Sequence, residues 1–315
     1  MPEGHTLHRL ALTLDRAFAG GRVRVSSPQG RFAEGAALLD GLVLERAEAW
    51  GKHLFVTFEG ERILNVHLGL IGVFDVTRYA VGPASGAVPP PPVGAVRVRI
   101  TNEEWFADLR GATVVDLITP EQKDAIVARL GPDPLRVGEP GHDTARSLTK
   151  LARTDRPVAE LLMDQSVIAG VGNLYRAEVL WRHRVDPFTP GRLVKKATWQ
   201  RIWDDLVDLM PLGVAFGQIL TLQEQVDEAK AFLGELAAAG HPAYLVDWRG
   251  GDEGEAGRKP AGQPKPAYER TSPFPREFAV YKRQGEPCPT CGSRIRTQVM
   301  AGRNLFWCGR CQRRH

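Results

Sequence analysis

Cysteine is scarce in this chain: four in 315 residues, all within the last 28. Histidine is limited to eight, with no HxH or HxxxH pairing. His5, His8 and His53 therefore read as polar surface or helix contacts, and not as metal ligands. The four methionines show no pattern. No stretch approaches the ~18–20 apolar residues of a membrane span. The N-terminus lacks a basic segment followed by an apolar core, so no secretory signal is expected and the reading is cytoplasmic. Repeats at solenoid or propeller periods are also missing, which excludes those architectures.

The few cysteines are placed tellingly. Cys288-x-x-Cys291 and Cys308-x-x-Cys311 are separated by 16 residues. Paired CxxC knuckles at this distance suit a tetrahedral four-thiolate zinc ribbon. Two disulfides are the alternative, but nothing marks a secreted chain, so one structural zinc ion is expected. Residues 295–307 read as two short strands joined at Ala301-Gly302. From Arg276 to His315 nine Lys or Arg face only Glu277 and Glu286, a balance of +7 in a chain of +4 overall. A solubilising tail would need neither a metal nor Phe306 and Trp307. Positive charge concentrated on a small finger points to phosphate backbones.

The rest of the chain has two textures. Leu7, Leu10, Ala11, Leu14 and Phe18 share one face of a helix over 6–19 that Gly20-Gly21 stops. Short β runs follow to residue 117, the clearest being 42–49, 53–58, 63–68 and 96–100. The stretch 82–94, with Pro89 to Pro92, is a loop. From about residue 119 helices dominate: 120–130, 144–152, 157–164, 173–181 and 198–210, with a further candidate at 222–239. Residues 249–270 are rich in Gly, Pro and charge and read as a flexible insertion. The expected fold class is α+β and multidomain. A β-sandwich with a leading helix spans 1–118, a helical DNA-binding domain 119–248, a linker or insertion 249–275 and the zinc ribbon 276–315.

Chemistry concentrates in three places. Removal of Met1 would expose Pro2 as a secondary amine. An α-amino group is partly neutral at pH 7, as a nucleophile must be. Glu3 beside it could move protons. On those two residues alone an ordinary helix opening is the favoured reading. The second place is Asp164 to Glu178, where Gln165 ends one helix, Gly170 and Gly172 make a turn and Asn173 starts another. Such a turn is either a plain helix hairpin or an anion site built from backbone N–H groups, with the glycines favouring the latter. The third is Lys52 in Trp50-Gly-Lys-His-Leu54, which alone decides nothing.

Taken together these segments resemble the formamidopyrimidine-DNA glycosylase and endonuclease VIII family, and the actinobacterial endonuclease VIII-like branch in its Pro-Glu-Gly-His-Thr-Leu-His opening. The Gly-Lys before a strand, His67-Leu-Gly, Leu130-Gly-Pro-Asp-Pro-Leu135, the 164–178 segment, the four cysteines and Gly302-Arg303-Asn304 also match, in the family's order. The resemblance implies a base-excision repair glycosylase with lyase activity on damaged DNA, duplex or single-stranded, in a bacterial nucleoid and acting as a monomer. It assigns Pro2 as the nucleophile toward C1′, Glu3 as the proton donor and Lys52 as a phosphate contact that assists strand elimination. Asn173, its preceding turn with Gln165 and Gly170, Arg303 and His67 would hold phosphates. Leu70 and Arg110 are the candidates to fill the gap left by a flipped nucleotide.

Three departures bear on specificity. Thr6 stands where the family usually has an acid. Leu70 replaces a methionine of the guanine-specific branch, and Asp108-Leu-Arg-Gly111 lacks that branch's Arg-Phe. These favour oxidised pyrimidines over 8-oxoguanine. The rival readings are an 8-oxoguanine or formamidopyrimidine enzyme, a non-catalytic damaged-DNA-binding protein on the same scaffold, and a generic zinc-ribbon module attached to an unrelated enzyme.

Overall fold

The structure is a computed structural model and describes residues 2–80, 88–140, 142, 144–239 and 272–313. Met1, the expected insertion at 249–270 and part of the 82–94 loop lie outside the described residues. Contacts divide the described chain into two units. The first holds Pro2 and residues 6–127, and the second holds residues 3–5, 128–239 and 274–313.

In the first unit, α1 (Gly4–Phe18) presents Leu7, Leu10, Leu14 and Phe18 to two antiparallel sheets. Gly20, at φ +77°, ends the helix in the left-handed conformation that glycine adopts freely. One sheet runs β1 (Gly21–Arg22), β3 (Val43–Trp50), β4 (His53–Phe58), β5 (Arg62–His67), β9 (Val114–Ile118). The other runs β2 (Arg24–Ser26), β7 (Val96–Thr101), β8 (Trp105–Arg110), β6 (Val73–Arg78). Leu54, Val56, Leu64, Val66, Phe74, Val98 and Leu109 alternate inward and close the sandwich core. One helix interrupts this β texture and another follows it. The expected strand region contains α2 (Ala33–Leu39), and α3 (Pro120–Val127) follows β9. Lys123 of α3 binds Glu48 and lies over the Phe55 ring, with its nitrogen 5.7 Å from the ring centroid. That cover explains why β4 is buried on both faces.

The second unit is helical, with a metal-ribbon hairpin. It contains α4 (Thr144–Leu151), α5 (Val158–Leu161), α6 (Asn173–Arg182), α7 (Lys196–Phe216), α8 (Gln223–Ala238) and the hairpin β10 (Ile295–Met300) with β11 (Arg303–Cys308). The helix expected over 157–164 is only the single turn α5, followed by tight backbone turns to Asp164. The expectation that α7 ends at Met210 fails for a physical reason. Pro211 removes one helical hydrogen bond, but Leu209, Met210, Leu212, Val214 and Phe216 are buried and hold the helix together until Gly217, at φ +64°. The hairpin turns at Ala301 (φ +48°) and Gly302 (φ +71°), the two-residue mirror-image turn that matches strand twist. No described helix is long and apolar enough to cross a membrane.

Candidate active site and nucleic-acid interface

Glu3 is the centre of a buried polar cluster in the second unit. Its side chain is buried, at 1% exposure. One carboxylate oxygen accepts from Gly172 N at 2.8 Å and, at longer range, from Tyr175 N at 3.5 Å. The other accepts from Leu174 N at 2.8 Å. The carboxylate thus caps the positive pole of α6. Two glycines make this approach possible. A Cβ on Gly172 would lie 2.4 Å from Glu3 Cδ, and one on Gly4 would lie 2.7 Å from Gly170 Cα. Gly4 N donates to Gly170 O at 2.7 Å, so the Pro-Glu-Gly opening and the Gly-Val-Gly turn are two halves of one contact.

Part of the turn that the resemblance assigns to phosphate is engaged within the protein. In the structure Gly172 and Leu174 donate to Glu3, and Gly170 N donates to Gln165 Oε1 at 3.0 Å. Gln165 also donates to Val171 O at 3.0 Å, so its side chain braces the turn from within. Asn173 is held as well: its Nδ2 donates to Asn304 O at 2.9 Å, and its Oδ1 accepts from Arg176. Arg303, part-exposed, is the neighbour of Asn304 beside the hairpin turn.

Around this cluster lie groups that the sequence reading passed over. Arg176 is fully buried, and its pKa falls to about 10; burial lowers it, Glu3 opposes that and Arg303 adds to it. Tyr175 is pushed well above the usual phenol range by burial and then by Glu3. Its ring meets His5 edge-on at 5.6 Å. Tyr281 is also raised, first by burial and then by Glu3, while a hydrogen bond with Asn173 works the other way. Only the i, i+3 spacing of Asn173 and Arg176 hinted at any of this.

In the first unit Lys52 sits in the tight turn between β3 and β4, after Gly51 at φ +58°. His67 ends β5, with its ring 5.2 Å from that of His53. Its pKa drops to about 4, through burial first and then the charges of His53 and Lys52. His67 Nδ1 accepts from Gly69 N at 3.1 Å and shapes the turn that carries Leu70, which is 45% exposed. Arg110 is engaged inside the protein. It donates to Asp75 at 3.0 Å, Asp108 at 2.8 Å and Val93 O at 2.8 Å. Arg99 holds the other side of Asp108 at 2.6 and 2.9 Å.

The four cysteine sulfurs lie within 4.8 Å of one another, with Cys288–Cys311 at 3.8 Å and Cys291–Cys308 at 3.4 Å. A disulfide requires ~2.05 Å, whereas Zn–S bonds of ~2.3 Å at tetrahedral angles give sulfur separations near ~3.8 Å. The donor set fits zinc.

Three family models match in order. Residues 1–115 match the formamidopyrimidine-DNA glycosylase N-terminal domain, 130–224 the formamidopyrimidine-DNA glycosylase H2TH domain, and 285–314 the zinc finger found in FPG and IleRS. Endonuclease 8 1 of Mycobacterium tuberculosis is 44% identical over 99% of this chain and 100% of its own length. The chain belongs to the formamidopyrimidine-DNA glycosylase and endonuclease VIII family. Within it the chain falls with the actinobacterial endonuclease VIII-like branch. It is a DNA glycosylase of base-excision repair with abasic-site lyase activity. The formamidopyrimidine-DNA glycosylase of Thermus thermophilus is 29% identical over 88% of this chain and 85% of its own. The fold matches that of Lactococcus lactis Fpg in complex with abasic-site DNA, with TM-score 0.69, 17% identity, and coverage of 99% and 100%. A second complex of that protein, with N7-benzyl-Fapy-dG DNA, gives TM-score 0.70 at 18% identity over 99% of this chain and 100% of that one. For this family member the ribbon is a zinc finger, and Glu3 is anchored by the H2TH segment.

Proposed function

We propose that this enzyme removes oxidised pyrimidines through an iminium formed by Pro2, followed by β,δ-elimination. The observation that carries the reading is the Glu3 carboxylate fixed at 2.8 Å by the Gly172 and Leu174 N–H groups, on the residue that follows Pro2. With Met1 removed, the neutral Pro2 nitrogen adds to C1′ of the flipped nucleotide. The N-glycosidic bond breaks and the damaged base leaves with its electron pair, protonated as it departs. Glu3 takes the proton shed by the Pro2 nitrogen and delivers it to O4′ as the C1′–O4′ bond opens to the iminium, from a position that α6 sets. The iminium then draws electrons from C2′ after loss of a proton there, and the 3′ and 5′ phosphates leave in turn. Lys52 holds the phosphate beside the lesion, and His67 does so as a neutral imidazole. Asn173 and Arg303 track the backbone, with Gln165 and Gly170 shaping the turn behind them. Leu70 fills the vacated gap. Arg110 joins it only by exchanging its contacts with Asp75, Asp108 and Val93 O. One zinc ion holds the finger, and the enzyme acts as a monomer.

Borohydride trapping on oligonucleotides carrying an abasic site, 5-hydroxycytosine, thymine glycol or 8-oxoguanine tests this reading. A covalent adduct, strongest on the oxidised pyrimidines and lost in Pro2→Gly, is expected. An unchanged adduct in Pro2→Gly would remove the iminium mechanism, and a dominant 8-oxoguanine adduct would overturn the preference.

A further inference from the structure

Trp181 lies in the last turn of α6 and packs on the cluster formed by Ala177, Cys288, Ile295, Phe306 and Cys308. Most of a tryptophan's contribution there is apolar area, but its Nε1–H is sealed from solvent with no acceptor of ordinary geometry. A buried indole N–H without an acceptor costs about 1–3 kcal/mol, so its orientation requires a reason. A thiolate bound to zinc keeps most of its negative charge and accepts N–H donors well.

We infer that Trp181 is a positioning residue of the zinc site, donating its indole N–H to the Cys288 thiolate when the metal is bound. α6 then joins the finger at both ends. Near its start Asn173 donates to Asn304 O at 2.9 Å. About 12 Å further along, at 1.5 Å per residue, Trp181 reaches the metal's first knuckle. Zinc occupancy is thereby coupled to the helix that fixes Glu3 and Asn173, and the finger tip keeps its register with the DNA-contacting turn.

Trp181→Phe keeps the ring and deletes the donor. Competition with a chromophoric zinc chelator should show a ~10–100-fold loss of zinc affinity, the usual effect of removing such an outer partner. Affinity within twofold of the parent would overturn the proposal. The unmodified protein supplies an independent readout, so a variant that fails to fold does not end the test. In protein labelled with 15N-tryptophan and loaded with 113Cd, the Trp181 indole proton should move downfield on loading and show a coupling to the metal. An indole proton that ignores the metal would reduce Trp181 to packing, whatever the affinity change.

Discussion

Gly172 has φ −125° and ψ −161°, a conformation open to any residue. Its requirement is one of space, since an added Cβ would stand 2.4 Å from Glu3 Cδ. Gly172→Ala should therefore fold, retain zinc and bind DNA, yet lose at least ~100-fold in single-turnover base excision, because a shift of ~1 Å in a catalytic group has that effect. Near-normal excision would show that the fixed carboxylate is not what the reaction uses. His67 makes a different prediction. Its folded pKa of about 4 lies below the ordinary 6.5, so the unfolded chain takes up this proton first. Its contribution therefore destabilises the fold progressively as pH falls from about 6.5 to about 4, and is nil above that range. An NMR titration should place the His67 midpoint near 4; a midpoint near 6.5 would mean that burial and the charges of His53 and Lys52 do not hold the imidazole neutral.

At the scale of elements, α6 organises more than any other helix. Its start is capped by Glu3, its middle carries Glu178, and its last turn carries Trp181. Glu178 is buried and accepts from Ala279 N, Val280 N and Tyr281 N at 2.9 Å each, with Thr221 Oγ1 also at 2.9 Å. Glu178→Ala would strand three backbone donors and should lower stability by about 3 kcal/mol or more in urea unfolding; a loss under ~1 kcal/mol would mean that water replaces the carboxylate. The sandwich strands, α1 and the ribbon were legible because each repeats a short-range pattern, of period 2, period 3.6 or CxxC. α2 was hidden because seven residues hold too few turns to show a period. Arg176 and Glu178 were hidden because a charge in a helix reads as solvated until its neighbours are known. The Glu3 cap was beyond any local pattern, since its partners lie 169–172 residues away.

At the scale of the molecule, charge and metal converge. The +7 finger segment sits in a chain of +4, so the remainder is slightly acidic and the positive charge is concentrated at one end of the sequence. Arg303→Ala should weaken binding to every duplex alike and lower the slope of log affinity against log salt by about 1; an unchanged slope would remove Arg303 from the backbone contacts. The cap on α6 also governs the order of events in synthesis. Glu3 cannot take its capped position until residues near 172–175 have emerged and folded, so an N-terminal fragment that stops short of α6 carries the whole sandwich yet has no seat for Glu3. This end of the chain is made early and placed late.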